Sequence, residues 1–140
     1  MTLCLFGCNT VETTEKSEYY VADFEEINTE TVSVSPSELE LIFYNESENT
    51  VGLGSWYVLE TTKDDEWYGC KEVPSEYIRV WTDELYVVES GNTISRKYNW
   101  ETYYGRLASG DYRILFEVHI LDKNLQILDT KIIETRFCIG

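Results

Sequence analysis

The chain has few of the residues that catalytic, membrane-spanning and nucleic-acid-binding proteins rely on. It contains one histidine, two prolines and 11 basic residues against 26 acidic ones. No run approaches the roughly 20 apolar residues of a membrane-spanning helix. A formal net charge of −15 repels phosphate backbones and anionic lipid headgroups. We therefore expect no nucleic-acid partner and no direct contact with headgroups.

Reactive motifs are also scarce. His119 lies beside Glu117, but no Gly-x-Ser-x-Gly nucleophile motif accompanies it. No His and Cys spacing suits zinc, no glycine loop suits phosphate, and no acid pair stands out for glycoside hydrolysis. The acidic turn at residues 64–66 could offer oxygens to calcium, yet it lacks EF-hand spacing. We predict no catalytic residue, no metal site and no cofactor.

The N-terminus carries the pattern of a bacterial lipoprotein processing site. Residues 5–8 read Leu-Phe-Gly-Cys, so that Cys8 would be lipidated and become the new N-terminus. Met1–Gly7 is short and lacks basic residues, so either the true start lies upstream or the tetrapeptide is accidental. We interpret residues 1–8 as a signal remnant and the polar residues 9–18 as a flexible stalk. This predicts an extracytoplasmic protein that is anchored to the cell membrane only through lipid.

Two cysteines remain in the part that would be exported. Cys4 would leave with the signal, whereas Cys70 and Cys138 would enter an oxidising compartment. A disulfide between them would stabilise the domain by about 4 kcal/mol in the chain-entropy model. The alternative is two separate thiols.

Residues 19–140 have the pattern of a single all-β domain. In the clearest strand, 112–121, apolar residues share one face by strict alternation, which is typical of a half-buried antiparallel strand. Trp100 and Tyr104 stand four apart, which predicts one short helical turn near 100–105 that ends at Gly105. About seven strands in a chain of this length imply an antiparallel two-sheet sandwich.

Residues 99–114 carry a resemblance to a known family. They read Asn-Trp-Glu-Thr-Tyr-Tyr-Gly-Arg-Leu-Ala-Ser-Gly-Asp-Tyr-Arg-Ile, which resembles a bacterial immunoglobulin-like domain family of exported proteins and lipoproteins. The matching positions are Trp100, Tyr104, Gly105, Leu107, Gly110, Tyr112 and Arg113. The resemblance implies an immunoglobulin-like fold and an exported setting, and it brings no catalytic residues.

The same segment has a physical interpretation of its own. Leu107, Gly110 and Tyr112 have the spacing of a tyrosine corner, in which a buried phenol bonds a backbone group a few residues upstream. Gly110 would supply a turn conformation that other residues reach only with strain. We therefore expect Tyr112 to be structural.

Aromatic residues are the remaining signal, with four Trp and 11 Tyr. Trp56, Trp67 and Trp81 could form an exposed surface that stacks on sugar rings or anchors a protein, or they could cap the sandwich ends. We predict a monomeric, non-enzymatic binding module for an unknown extracellular protein or glycan. Its rivals are a carbohydrate-binding surface protein and a protein-binding inhibitor or sensor accessory.

Overall fold

The computed structural model describes residues 11–74, 79 and 81–140. The lipidation candidate Cys8, with the predicted signal remnant 1–8, lies outside them. The described residues form nine strands and one helix. In chain order these are β1 Thr13–Lys16, β2 Ile27–Ser35, β3 Glu38–Asn45, β4 Thr50–Lys63, β5 Glu66–Cys70, β6 Tyr86–Val88, β7 Thr93–Asn99, α1 Glu101–Tyr104, β8 Gly110–Leu121 and β9 Ile127–Ile139.

The strands form two antiparallel sheets in the described part of the chain. The larger has the order β1-β5-β4-β8-β9, and β6 also pairs with β4. The smaller has the order β2-β3-β7. The predicted antiparallel two-sheet sandwich is confirmed, and α1 matches the predicted helical turn near 100–105.

Alternation along β8 and β3 builds the core between the sheets. Tyr112, Ile114, Phe116 and Val118 of β8 belong to the core cluster, and Phe43 of β3 meets Phe116 edge-on with ring centroids 4.8 Å apart. A register slip of one residue would turn these side chains to the other face, so this pattern specifies the pairing.

Residues 13–16 of the predicted flexible stalk 9–18 are instead a strand. Residues 13–16 form β1, which pairs with the edge of β5. Lys16 is ion-paired with Glu66 at 2.8 Å, and Lys71 with Glu12 at 3.1 Å. The stalk prediction is wrong here because an edge strand is held by backbone hydrogen bonds, so its polar side chains can stay in water.

The chain then crosses the outer face of the larger sheet, which is the face turned away from the core. The Ser17 amide donates to the Trp67 carbonyl, and the Ala22 amide to the Ile132 carbonyl, both at 2.8 Å. Leu115 of β8 points to this outer face, yet it is fully buried. Both faces of the larger sheet are therefore covered in part.

Neither alternative for Cys70 and Cys138, a bond between them or two separate thiols, is correct. Cys70 is a free, buried thiol in the core, whereas Cys138 is disulfide-bonded to another cysteine. The strands β5 and β9 are separated by β4 and β8, which places them about 14 Å apart at the usual strand spacing. Bonded cysteines need Cα atoms within about 7 Å. Burial raises the pKa of the Cys70 thiol to about 12, so it stays protonated and unreactive at neutral pH.

Candidate functional site

The tyrosine corner is present at the start of β8. The Tyr112 hydroxyl donates to the Ala108 carbonyl at 2.6 Å, and the residue is fully buried. Burial raises the pKa of this phenol above its usual value. Trp100 is also fully buried, and its indole N–H donates to the Pro36 carbonyl at 2.9 Å. These two residues hold the fold together rather than contact a ligand.

The remaining family positions around α1 are structural as well, with one difference from expectation. Leu107 is buried, and the Tyr104 hydroxyl accepts a hydrogen bond from the Leu59 amide at 3.4 Å. Gly105 ends the helix at a φ of 68°, which favours glycine. Gly110 does not have a positive φ, so the strained turn predicted there is wrong. Instead, Gly110 lies against the ring of Tyr112.

Arg113 forms a buried ion-pair network on the outer face. Its Nε and Nη2 donate to Glu60 Oε1 at 2.8 and 2.6 Å, and its Nη1 donates to Glu134 Oε2 at 2.8 Å. The ring of Trp67 covers the guanidinium, with 4.5 Å between the guanidinium carbon and the ring centroid. Trp67 also lines a cavity of about 710 Å³ beside the 21–29 segment. Arg113, which also lines this cavity, is neutralised by Glu60 and Glu134.

The other two predicted contact residues, Trp56 and Trp81, line one cavity of about 370 Å³. Glu117 and His119 of β8 form another part of its wall. We call this cavity the indole cleft. Among the described residues, its lining is Gly54, Ser55, Trp56, Trp81, Thr82, Asp83, Glu84, Leu85, Glu117, His119 and Ile127.

An irregularity in β4 creates the cleft. β4 pairs with β6 over residues 51–53 and with β5 over residues 60–63, and its register with β8 shifts between Leu53 and Tyr57. The Ser55 hydroxyl in this gap donates to the Thr82 carbonyl at 2.9 Å and accepts from the Thr82 amide at 3.1 Å. These two hydrogen bonds hold the segment that carries Trp81 against the bulge.

A glycine leaves room at the base of the cleft. A Cβ atom on Gly54 would lie 3.6 Å from Nε2 of His119. A larger side chain at this position would therefore extend into the space between β4 and the His119 ring.

Both indoles are supported by other rings or by an arginine. The guanidinium carbon of Arg79 lies 4.0 Å from the Trp81 ring centroid and 4.5 Å from that of Tyr57. Arg79 also donates to the Tyr57 carbonyl at 2.9 Å. Trp56 meets the ring of Tyr19 edge-on, with centroids 5.5 Å apart. These contacts restrict the indoles before any ligand arrives, which lowers the entropic cost of binding.

The electrostatics of the cleft are acidic. Asp83, Glu84 and Glu117 line it, and no lysine or arginine of the described residues does so. His119 Nδ1 lies 2.7 Å from the Thr130 hydroxyl, and its Nε2 lies 3.4 Å from Glu117. Such a cleft suits a neutral polyhydroxylated group or a cation, and it disfavours an anion.

Sequence reasoning identified the tryptophans but did not bring Trp56 and Trp81 together with Glu117 and His119. These residues meet only across the β4 bulge. The available signal was the pair of glycines, Gly52 and Gly54, inside an otherwise regular strand pattern, since such glycines often mark a bulge.

Two other kinds of site are absent from the described residues. Across residues 11–74, 79 and 81–140, no group of three or more His, Cys, Asp or Glu side chains could hold a metal ion. In the same ranges, no helix combines the length and the apolar character that crossing a bilayer requires.

The two facing sheets and the tyrosine corner at the start of β8 define an immunoglobulin-like β-sandwich. Residues 24–132 match the family described as bacterial Ig-like domain, and the chain belongs to this family. Ig-like domains of this kind are typically non-catalytic and often occur in exported proteins. No curated protein and no solved structure matches the chain.

Proposed function

We propose that the protein is a non-enzymatic binding module of the cell surface and that the indole cleft is its ligand site. The observation that carries this proposal is the pair of supported indoles, Trp56 and Trp81, in a cavity of about 370 Å³. Ligand sites in proteins usually have volumes of about 300–1,000 Å³ and combine aromatic walls with a few polar groups. An Ig-like fold that is typically non-catalytic supports binding as the function.

Site-specific photo-crosslinking on the producing cells tests this proposal. Val87 of β6 pairs with Gly52 of β4, and Gly52 pairs on its other side with His119 of β8. A photoreactive residue in place of Val87, which is exposed, would therefore lie on the outer face two strands from His119. The control position is Val32 on β2 of the other sheet, which is 51% exposed against 43% for Val87. We expect a discrete adduct from position 87 and none from position 32. Equal labelling at both positions, or no adduct at 87, would contradict the proposal.

The surface location is proposed to depend on a lipid at Cys8. The tetrapeptide at residues 5–8 and membership of a family common in exported proteins support this. Lipid labelling of the protein expressed from its native locus should give a signal that Cys8→Ala abolishes. Because a thioether-linked cysteine cannot also form a disulfide, non-reducing peptide mapping gives a second readout. A peptide that joins Cys138 to Cys8, or to Cys4, which would leave with the signal, would refute the anchor.

A carbohydrate ligand is the second candidate. Trp81 is 37% exposed next to the carboxylates of Asp83 and Glu84, and sugar sites commonly combine a flat ring with acidic hydrogen-bond acceptors. Soluble glycans should then quench tryptophan fluorescence, and Trp81→Ala should remove the response. Tyr20→Ala is the control, since Tyr20 is an exposed aromatic residue outside the cleft. A response that survives Trp81→Ala would place the sugar elsewhere.

A further inference from the structure

We infer that the indole cleft recognises a lysine or arginine side chain of a protein partner and that the β8–β9 hairpin tip beside it contacts apolar side chains of the same partner. This inference rests on the proposed function and specifies its ligand. The hairpin tip is defined as residues 125–128. The two surfaces are continuous because Ile127 of the tip also lines the cleft.

The charges in and around the cleft favour a cation. Its lining includes the acids Asp83, Glu84 and Glu117, and it includes no lysine or arginine from the part of the chain that the structure describes. The nearest basic group to an indole, Arg79, contacts Trp81 but does not line the cleft. A formal net charge of −15 adds long-range attraction for a basic partner.

The indoles suit the same ligand. A cation over an indole face is attracted by the negative electrostatic potential of the ring. Trp81 already accepts one guanidinium, that of Arg79, at 4.0 Å from its ring centroid. A second cation that entered the cleft would meet Trp56 and the carboxylates as well as Trp81. Guanidinium and ammonium groups are therefore the chemical classes that this cleft fits.

The hairpin tip distinguishes a protein from a glycan. Leu125, Ile127 and Leu128 are 52%, 53% and 63% exposed, so three apolar side chains face water together. Leu125 also has a φ of 60°, a conformation that a glycine or asparagine would adopt at lower cost. Folding alone does not account for a leucine there. An apolar surface beside a charged site is the usual arrangement of a protein interface, and a sugar would gain little from it.

The test uses NMR titration of the ¹⁵N-labelled full chain with short synthetic peptides. The probe peptide has a central lysine flanked by valine and isoleucine, and the matched probe carries Nε-acetyl-lysine instead. We follow the indole N–H signals of Trp56 and Trp81 and the amides of residues 125–128. The indole signals of Trp67 and Trp100 are internal controls, because one lies in the other cavity and one in the core.

We expect shifts at Trp56, Trp81 and the tip, with affinity at least about fivefold weaker for the acetylated peptide. Glu84→Gln should weaken binding of the lysine peptide severalfold, since it removes one carboxylate without changing shape. The control Glu101→Gln removes an exposed carboxylate on α1, outside the cleft, and should leave binding unchanged. The spectra of both variants report directly on folding.

Three results would overturn the inference. These are equal affinity for the two peptides, no effect of Glu84→Gln, and no shift at Trp56 or Trp81 with the lysine peptide at millimolar concentration. If an oligosaccharide of N-acetylglucosamine shifts both indoles and the peptide does not, the cleft is a carbohydrate site. A crosslink at Val87 without peptide binding would also overturn the inference. The proposed binding function would then stand, but its specificity for lysine or arginine would be wrong.

Discussion

Replacing Arg113 tests whether the buried ion-pair network stabilises this sandwich. The Arg113 and Glu60 side chains are 8% and 2% exposed, and Arg113 Nη2 lies 2.6 Å from Glu60 Oε1. Arg113→Met keeps most of the side-chain length but leaves the Glu60 carboxylate buried without its cation. Breaking one partner of a buried pair costs about 3–5 kcal/mol, so we expect the free energy of unfolding to fall by about 4 kcal/mol. That is a large fraction of the roughly 5–15 kcal/mol of a typical domain.

A double-mutant cycle separates the pair from the packing around it. Glu60→Leu alone removes the main partner of the Arg113 guanidinium, but Glu134 still neutralises it at 2.8 Å. We therefore expect a smaller loss in the free energy of unfolding, of about 2–3 kcal/mol. Combining both changes removes both charges, and the double variant should be more stable than the sum of the single losses predicts. We expect a coupling energy of about 2 kcal/mol, within the range for residues in one network.

The assay is urea unfolding at pH 7, followed by circular dichroism and by tryptophan fluorescence. Lys16→Met is the matched control, because its ion pair with Glu66 is also short, at 2.8 Å, but its side chains are 60% and 48% exposed. Exposed pairs contribute little, so its midpoint should hardly move. A loss below about 1 kcal/mol for Arg113→Met, or additive single losses, would refute the reasoning about burial.

Three further predictions concern the sandwich itself. Tyr112→Phe removes the buried bond to the Ala108 carbonyl and should lower the free energy of unfolding by about 1–2 kcal/mol, and an unchanged urea midpoint would show that this bond contributes nothing. Asp65→Gly should raise stability by about 0.5–1 kcal/mol in the same assay, because Asp65 has a φ of 64° in the β4–β5 turn and glycine adopts that conformation without strain. Burial raises the pKa values of Tyr57 and Cys70 to about 12 each. The folded state therefore favours the neutral forms of both side chains. Their contribution to the free energy of unfolding is fully present below their unfolded pKa values, which are about 10 for Tyr57 and about 8.5 for Cys70. This contribution is lost as the pH rises towards 12. Stability measured by urea at fixed pH values should be level from pH 7 to about 8.5 and fall above that, and a level profile to pH 11 would contradict this.

Local patterns were sufficient for the fold class and for the tyrosine corner. Alternation in β8 identified its core face because strand side chains alternate strictly. The spacing of Leu107, Gly110 and Tyr112 identified the corner because all of its contacts lie within a few residues. Trp100 and Tyr104 were placed on one helical turn for the same reason.

Features that depend on how distant strands are arranged could not be obtained from these patterns. The even number of exported cysteines left a bond between Cys70 and Cys138 open, but strand order separates them by two intervening strands. The polar composition of residues 13–16 indicated a stalk, but an edge with free backbone groups accepts a strand of any polarity.

The candidate site shows the same division. The sequence alone determined that this is an acidic, aromatic-rich β-sandwich with more tryptophan than one small core requires. Only the tertiary structure decided that Trp56 and Trp81 share a cleft with Glu117 and His119 while Trp67 covers Arg113. The physical reason is that the bulge in β4 and the strand order bring together side chains from distant parts of the chain, and no local periodicity records those pairings.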